Sequence, residues 1–167
     1  MRCHDIDLKK RLCVWEASMA RSTSPERFLT DAESAAVTTA VGEAERLSSA
    51  ELKVVLARHC WGSLKAKARR LFKKLGLERT EQRNCVLILL VTANREFLIY
   101  GDEGIHAKVG QGFWDDVLGR MQEAFDRDEF GAGLAEGVRQ IGEKLARYFP
   151  RQQNDIDEIS NEIVYCR

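Results

Sequence analysis

The feature that most constrains this fold is an apolar run near the middle of the chain. Residues 86–91 read VLILLV, far fewer than the roughly 20 apolar residues of a membrane-spanning helix. A continuous run of this length is typical of a strand that is buried on both faces. Residues 93–96 interrupt the run, and Asn94 tolerates positive φ, so we predict a hairpin turn there. Residues 97–100 form the returning strand.

Helical and strand patterns on both sides of this hairpin predict an α/β fold. Thr30 and Glu33 form a capping box that begins a helix. Residues 51–60 indicate a first strand with one face more deeply buried than the other. A helix over residues 63–75 is long enough to join two parallel strands by a crossover. Further helices are predicted at 113–125 and 130–148, and the tail at 154–167 as a final strand or an arm. This order predicts a three-layer α/β/α sandwich around a small mixed β-sheet.

Four glycines fall inside the last predicted helix, where each costs roughly 1 kcal/mol relative to alanine. They are Gly131, Gly133, Gly137 and Gly142. We expect them to allow close packing of this helix against the sheet.

The charge balance gives no argument for a polyanionic partner. Lys plus Arg and Asp plus Glu number 26 each, so the formal net charge is zero, and no nucleic-acid partner is expected. Positive charge is concentrated only on the polar face of the predicted helix at 63–75. Its cations are Lys65, Lys67, Arg69, Arg70, Lys73 and Lys74. They could form an anion-binding patch, but a solvated helix face is the favoured interpretation.

Composition divides the chain into three segments. We predict an N-terminal extension with a loosely helical pattern at 1–27, an α/β domain at 28–150, and an acidic tail or arm at 151–167. The first 20 residues contain no continuous apolar segment, so neither a signal peptide nor a membrane span is expected.

Cysteine usage favours a reducing compartment. The five cysteines are odd in number and form no C-x-x-C motif, and Cys60 and Cys85 lie in or beside apolar runs as core residues would. We expect a cytoplasmic monomer that could bind a protein partner of unidentified kind.

A candidate site follows the second strand of the hairpin, in a predicted acidic loop over residues 101–106. Asp102 and Glu103 could supply oxygen ligands to calcium or magnesium, joined by Asp115 and Asp116 at the start of the next helix. The alternative is structural, because acidic residues at a helix start complement its dipole and can cap a turn. No EF-hand loop is present.

Three further residues are candidates for the same cleft: Arg83, Asn84 and His106. Arg83 could bind phosphate through its planar fork, and His106 could act as a general acid or base or have only a structural role. His59 and Trp61 could line the same cleft if the strand order allows it. The sequence contains no P-loop, G-x-S-x-G, H-E-x-x-H or dinucleotide fingerprint.

Several short segments, taken in order, resemble the TPM domain family over roughly residues 28–150, and the tail resembles the ending of its bacterial members. They are LTDAE at 29–33, ARRLFKKLG at 68–76, RNCVLI at 83–88, GDEGI at 101–105, FGAGL at 130–134 and NEIV at 161–164. Relatives usually have glycine where this chain has Cys85.

The resemblance implies the fold more strongly than the function. It implies calcium or magnesium binding and a weak acid phosphatase activity as properties of some members. Two functions are therefore open for this chain. The first is a binding or accessory module, and the alternative is a metal-assisted phosphatase in which Asp102 and Glu103 hold the cation and Arg83 meets the phosphate.

Overall fold

The computed structural model describes residues 13–14, 21–110, 112–153 and 158–166. The helices are α1 (Pro25–Phe28), α2 (Asp31–Leu47), α3 (Leu64–Lys74), α4 (Glu103–Lys108), α5 (Asp115–Asp126) and α6 (Phe130–Leu145). The strands are β1 (Cys13–Val14), β2 (Leu52–Ala57), β3 (Val86–Val91), β4 (Glu96–Gly101) and β5 (Val164–Cys166).

The strands form one mixed sheet in the order β1-β4-β3-β2-β5. Strand β2 is parallel to both β3 and β5, whereas β4 is antiparallel to β3 and to β1. Leu52, Val86 and Gly101 lie in register at one end of the sheet, and Ala57, Val91 and Glu96 at the other. The parallel strands β2 and β3 therefore begin at the end of the sheet where the antiparallel β4 finishes.

Both faces of the sheet are covered, which confirms the predicted three-layer α/β/α sandwich. Ile88 and Leu90 belong to a core that includes residues of α2, α5 and α6, whereas Leu87 and Leu89 belong to a second core with α3. All six residues of β2 are buried, so the prediction that one of its faces is less deeply buried is wrong. The reason is that α3 covers the second face.

Local signals mark the starts of α1, α2 and α3 and the end of α3, whereas α6, predicted to reach residue 148, ends at Leu145. Thr30 and Glu33 make both hydrogen bonds of the capping box at α2, and Pro25 lies in the first turn of α1. The Ser63 hydroxyl accepts from the Ala66 amide at the start of α3, and Gly76 follows that helix with φ 70°. These bonds satisfy amides that the first helical turn leaves without a partner.

The glycines of α6 pack against helices, not against the sheet as predicted. A Cβ at Gly142 would lie 2.8 Å from the Ala44 Cα of α2, and one at Gly137 would lie 2.6 Å from the Met121 sulfur of α5. Glycine therefore lets α6 approach both neighbouring helices closely.

The ends of the chain contribute strands at opposite sides of the sheet. Cys13 and Val14 are extended in β1, so a helix does not run through this point; the other residues of 1–20 lie outside the described residues. The tail does form a final strand, β5, as one of the two predicted alternatives. Lys53 donates hydrogen bonds to the Ser160 and Glu162 carbonyls at 2.6 and 2.7 Å and so anchors the segment before it.

Candidate functional site

The predicted acidic loop after β4 is largely a short helix. Asp102 is the N-cap of α4, and its Oδ1 accepts a 2.8 Å hydrogen bond from the Glu103 amide. Gly104 lets α4 pack closely against the loop before β3. The Gly104 backbone amide donates to the Arg83 carbonyl at 2.9 Å, and a Cβ at position 104 would lie 2.6 Å from that oxygen. Six helical residues are too few for an apolar period, which explains why the sequence indicated a loop.

Arg83 and Asp102 form a two-bond ion pair at this edge. Arg83 Nε donates to Asp102 Oδ2 at 2.9 Å, and Nη2 donates to Oδ1 at 3.0 Å. The Asp102 side chain is only 5% exposed, whereas that of Arg83 is 43% exposed. Glu103 lies at the rim, with Oε2 3.8 Å from Arg83 Nη2. Both oxygens of the buried carboxylate are thus engaged by the planar fork that the sequence suggested for phosphate.

The electrostatics of the edge follow from this pairing and from burial. Hydrogen bonding to Asp102 raises the pKa of Arg83 above its usual range. Burial lowers the pKa of His106, although the nearby Asp102 charge acts in the opposite direction. His106 Nδ1 is buried without a hydrogen-bond partner among the described residues, and its ring meets Tyr100 edge-on at 6.4 Å. Burial therefore favours the neutral form of His106, and Nδ1 has no described base or nucleophile bonded to it.

Asn84 is structural in its contacts. Its side-chain Nδ2 donates to the Ser49 carbonyl at 2.8 Å, and its backbone amide donates to Thr80 Oγ1 at 3.2 Å. The residue is buried, so it ties the start of β3 to the loop before β2.

The four predicted metal ligands are not grouped. Asp102 binds Arg83, while Asp116 Oδ1 accepts a 2.7 Å hydrogen bond from Lys144, which lowers the Asp116 pKa. Asp115 and Glu103 are exposed. Across the described ranges, no cluster of three or more His, Cys, Asp or Glu side chains could hold a metal ion. This donor set does not fit a hard cation that wants six to eight oxygens, and cation binding stays a prediction.

Buried charges behind the ion pair were missed in the sequence. Glu45, Glu51 and Lys53 are all buried, and Glu51 Oε1 accepts a hydrogen bond from the Glu158 amide at 2.9 Å. Burial raises the pKa of Cys85 well above its ordinary value, and the charges of Glu51, Asp102 and Glu45 raise it further. Glu45 could have been found, because it continues the buried stripe of Val37 and Val41 at a spacing of four.

His59 and Trp61 lie at the opposite end of the strands from Asp102, so the suggestion that they share a cleft with Asp102 is wrong. They follow Ala57 at the end of β2, whereas Asp102 follows Gly101 beside the start of β2 and β3. Five residue steps along a strand separate the two edges by about 17 Å. Ligands of open α/β sheets bind outside the carboxyl ends of parallel strands, and that edge carries Trp61.

The chain is an α/β sandwich, with a mixed sheet covered by helices on both faces and an Arg83–Asp102 ion pair at one end of the strands. A family model for the TPM domain matches residues 22–144, and the chain belongs to the TPM domain family. Across the described residues, no helix has both the length and the apolar character needed to cross a membrane.

Solved structures agree with this assignment. The NMR structure of BA42 protein from the psychrophilic bacterium Bizionia argentinensis superposes with a TM-score of 0.81 at 35% identity, covering 86% of this chain and 99% of that one. The N-terminal domain of a P. gingivalis protein has a TM-score of 0.61 at 18% identity, covering 92% of this chain and 100% of that one. The N-terminal domain of cg2496 protein from Corynebacterium glutamicum has a TM-score of 0.57 at 10% identity, with 90% and 93% covered. The last two show the fold alone. No curated protein matches the chain.

Proposed function

We propose that this TPM domain is a binding or accessory module that carries out no efficient turnover of its own. The observation that carries the proposal is the Arg83–Asp102 pair, with hydrogen bonds at 2.9 and 3.0 Å. A catalytic carboxylate or a phosphate-binding arginine needs a side chain that can reach substrate. Here each group is neutralised by the other, and Asp102 also caps α4.

Two groups that could take part in covalent or acid-base catalysis, His106 and Cys85, are also unfavourably placed for it. Such catalysis needs a nucleophile and a base within hydrogen-bond reach of each other. His106 Nδ1 has no hydrogen-bond partner there, and burial, with Glu51 and Asp102 charges nearby, raises the pKa of the Cys85 thiol and disfavours its thiolate. Both groups are therefore poorly placed for chemistry.

The alternative, a metal-assisted phosphatase, makes a specific demand on this site. A cation on Asp102 would have to displace the guanidinium of Arg83 or share the carboxylate with it. Arg83 would then be released to meet phosphate, so cation and substrate would have to act together. Both the phosphatase alternative and the cation prediction therefore require the Arg83–Asp102 pair to rearrange.

Hydrolase assays test the proposal. Wild type, Asp102→Asn and the exposed-surface control Glu123→Gln are compared on p-nitrophenyl phosphate and p-nitrophenyl acetate, with and without millimolar calcium or magnesium. We expect no turnover above the uncatalysed rate that depends on Asp102. Metal-dependent turnover that Asp102→Asn abolishes and Glu123→Gln retains would overturn the proposal in favour of the phosphatase.

A further inference from the structure

Trp61 is the most exposed large apolar side chain in the described part of the molecule. Its surface is 85% accessible, and its ring stacks on His59 with centroids 5.8 Å apart and an interplanar angle of 29°. Tryptophan is enriched among the residues that supply most of the binding energy at protein interfaces. Burying such a ring removes about 200 Å² of surface from water.

The loop that carries Trp61 is fixed by the hairpin turn. Asn94 Oδ1 accepts from the Cys60 amide at 3.1 Å, and Asn94 Nδ2 donates to the Cys60 carbonyl at 2.9 Å. Beyond the tryptophan, Ser63 caps α3. An exposed ring on a loop tied at both sides loses little conformational entropy on binding, so the anchor is preorganised.

The exposed face of α3 next to this loop is positively charged. Its apolar side is buried in the core, and the cations on the other side are Lys67, Arg69, Arg70, Lys73 and Lys74. Considering residues 21–110, 112–153 and 158–166, none of these five cations forms an ion pair with a carboxylate. The neutral net charge of the chain therefore hides a local excess of positive charge on this helix.

The basic face and the aromatic loop adjoin. Trp61 lies just before Ser63, the N-cap of α3, so the loop leads directly into this helix. Burial and the charge of Glu96 raise the pKa of the Cys60 thiol, whereas the charges of Lys67 and Arg70 act against this. We call the side chains of Trp61, Lys67, Arg69, Arg70, Lys73 and Lys74 the Trp61–α3 surface. It begins at the carboxyl edge of β2 and follows α3 for about 16 Å.

We propose that the Trp61–α3 surface docks an acidic segment of a partner protein, in which carboxylates meet the cations and an apolar side chain packs on Trp61. This inference rests on the proposed binding function and specifies the chemistry of its partner. The sequence alone favours a solvated helix face for these cations, and the fixed, exposed tryptophan at the end of the helix is what alters that interpretation.

Charge and shape favour an acidic protein segment over other anions. Proteins that bind single-stranded nucleic acid line a basic groove with several stacking rings. The described residues offer one exposed stack, His59 on Trp61, beside a short basic helix. Insertion into an anionic membrane needs an apolar helix face, and that of α3 is buried against the sheet.

A labelled peptide of aspartate and glutamate residues interrupted by leucines is the probe. Binding is followed by fluorescence anisotropy and by the indole N–H signal of Trp61 in NMR spectra of the full chain. We expect saturable, salt-sensitive binding that weakens at least about tenfold in Trp61→Ala and in Arg69→Glu/Arg70→Glu. The matched control, Arg120→Glu/Arg147→Glu, changes the net charge equally on other elements and should bind as wild type does.

Three outcomes would overturn this inference. They are the absence of saturable binding, equal weakening in the charge-matched control, and preferential binding of oligo-dT or phosphatidylserine vesicles through the same residues. Circular dichroism and urea unfolding confirm that each variant is folded. The hydrolase assays report separately on the proposed function, so a silent peptide together with silent hydrolase assays removes only the docking inference.

Discussion

Arg83 neutralises a carboxylate that the fold has almost entirely removed from water. An ion pair of this kind contributes little compared with two apolar residues, but removing one partner leaves the other buried and uncompensated. Its value to the fold is therefore best measured by removing Arg83, the exposed partner.

Replacing Arg83 with methionine should destabilise the protein. Asp102 would keep the hydrogen bond from the Glu103 amide but lose both bonds from the guanidinium. We expect the free energy of unfolding to fall by about 1–3 kcal/mol in urea titrations. Arg120→Met, at an exposed position on α5, is the control. Equal small losses in the two variants would contradict a structural role for the pair.

His106 should make stability fall with acid. Burial lowers its pKa in the folded protein, so below the ordinary histidine pKa of about 6.5 the unfolded chain binds more protons. The free energy of unfolding should therefore decrease as pH falls from about 7.5 to about 5.5, and His106→Gln should flatten this dependence. Urea unfolding at several pH values measures both slopes. Parallel slopes would show that His106 does not titrate differently on folding.

The residues of the candidate site were recognisable from the sequence, but their pairing was not. Arg83 and Asp102 are 19 positions apart and meet because Val86 is in register with Gly101. The hairpin turn shows the same limit: Arg95, not Asn94, has positive φ, and the Asn94 side chain instead bonds to the backbone amide and carbonyl of Cys60. Such roles depend on contacts that no local pattern contains.

At the scale of elements, α6 is the helix whose packing depends most on missing side chains. Gly142→Ala should cost about 1–3 kcal/mol, because its Cβ would meet the Ala44 backbone. Gly137→Ala should cost less, since the Met121 side chain can move. Gly119→Ala in α5 has open space and should stabilise by up to about 1 kcal/mol. Thermal or urea unfolding ranks the three variants, and a different order would contradict this packing.

Sequence signals located the longer elements well because each carries its own physical cause. The capping box fixes the start of α2, and the apolar run fixes β3. Tertiary packing decides which elements α6 contacts. Its glycines therefore indicated a close contact but not that the contact is with helices α2 and α5.

At the scale of the whole molecule, two cores make β3 sensitive on both faces. Ile88 and Leu89 point to opposite sides and are both fully buried. Truncating either to alanine should cost about 2–5 kcal/mol in urea unfolding, from lost transfer energy and a cavity. Leu47→Ala, at a residue 51% exposed, should cost much less. One large and one negligible loss on β3 would contradict the three-layer architecture.

Strand order is the part of the architecture that the sequence left open. Strand order and antiparallel pairing put Asp102 and Trp61 at opposite edges, although both follow strands. The crossover helix and the hairpin predicted a mixed sheet, but they did not fix the order of its strands.

Arg83 engages both carboxylate oxygens of Asp102, and we propose that a divalent cation does not displace it. NMR titration with calcium and then magnesium tests it most directly, by following the Arg83 side-chain Nε–H signal and the amides of residues 101–106. We expect these signals to stay in place at millimolar metal, because Arg83 already occupies both Asp102 oxygens. Saturable shifts of Arg83 and its neighbours, abolished by Asp102→Asn, would contradict it.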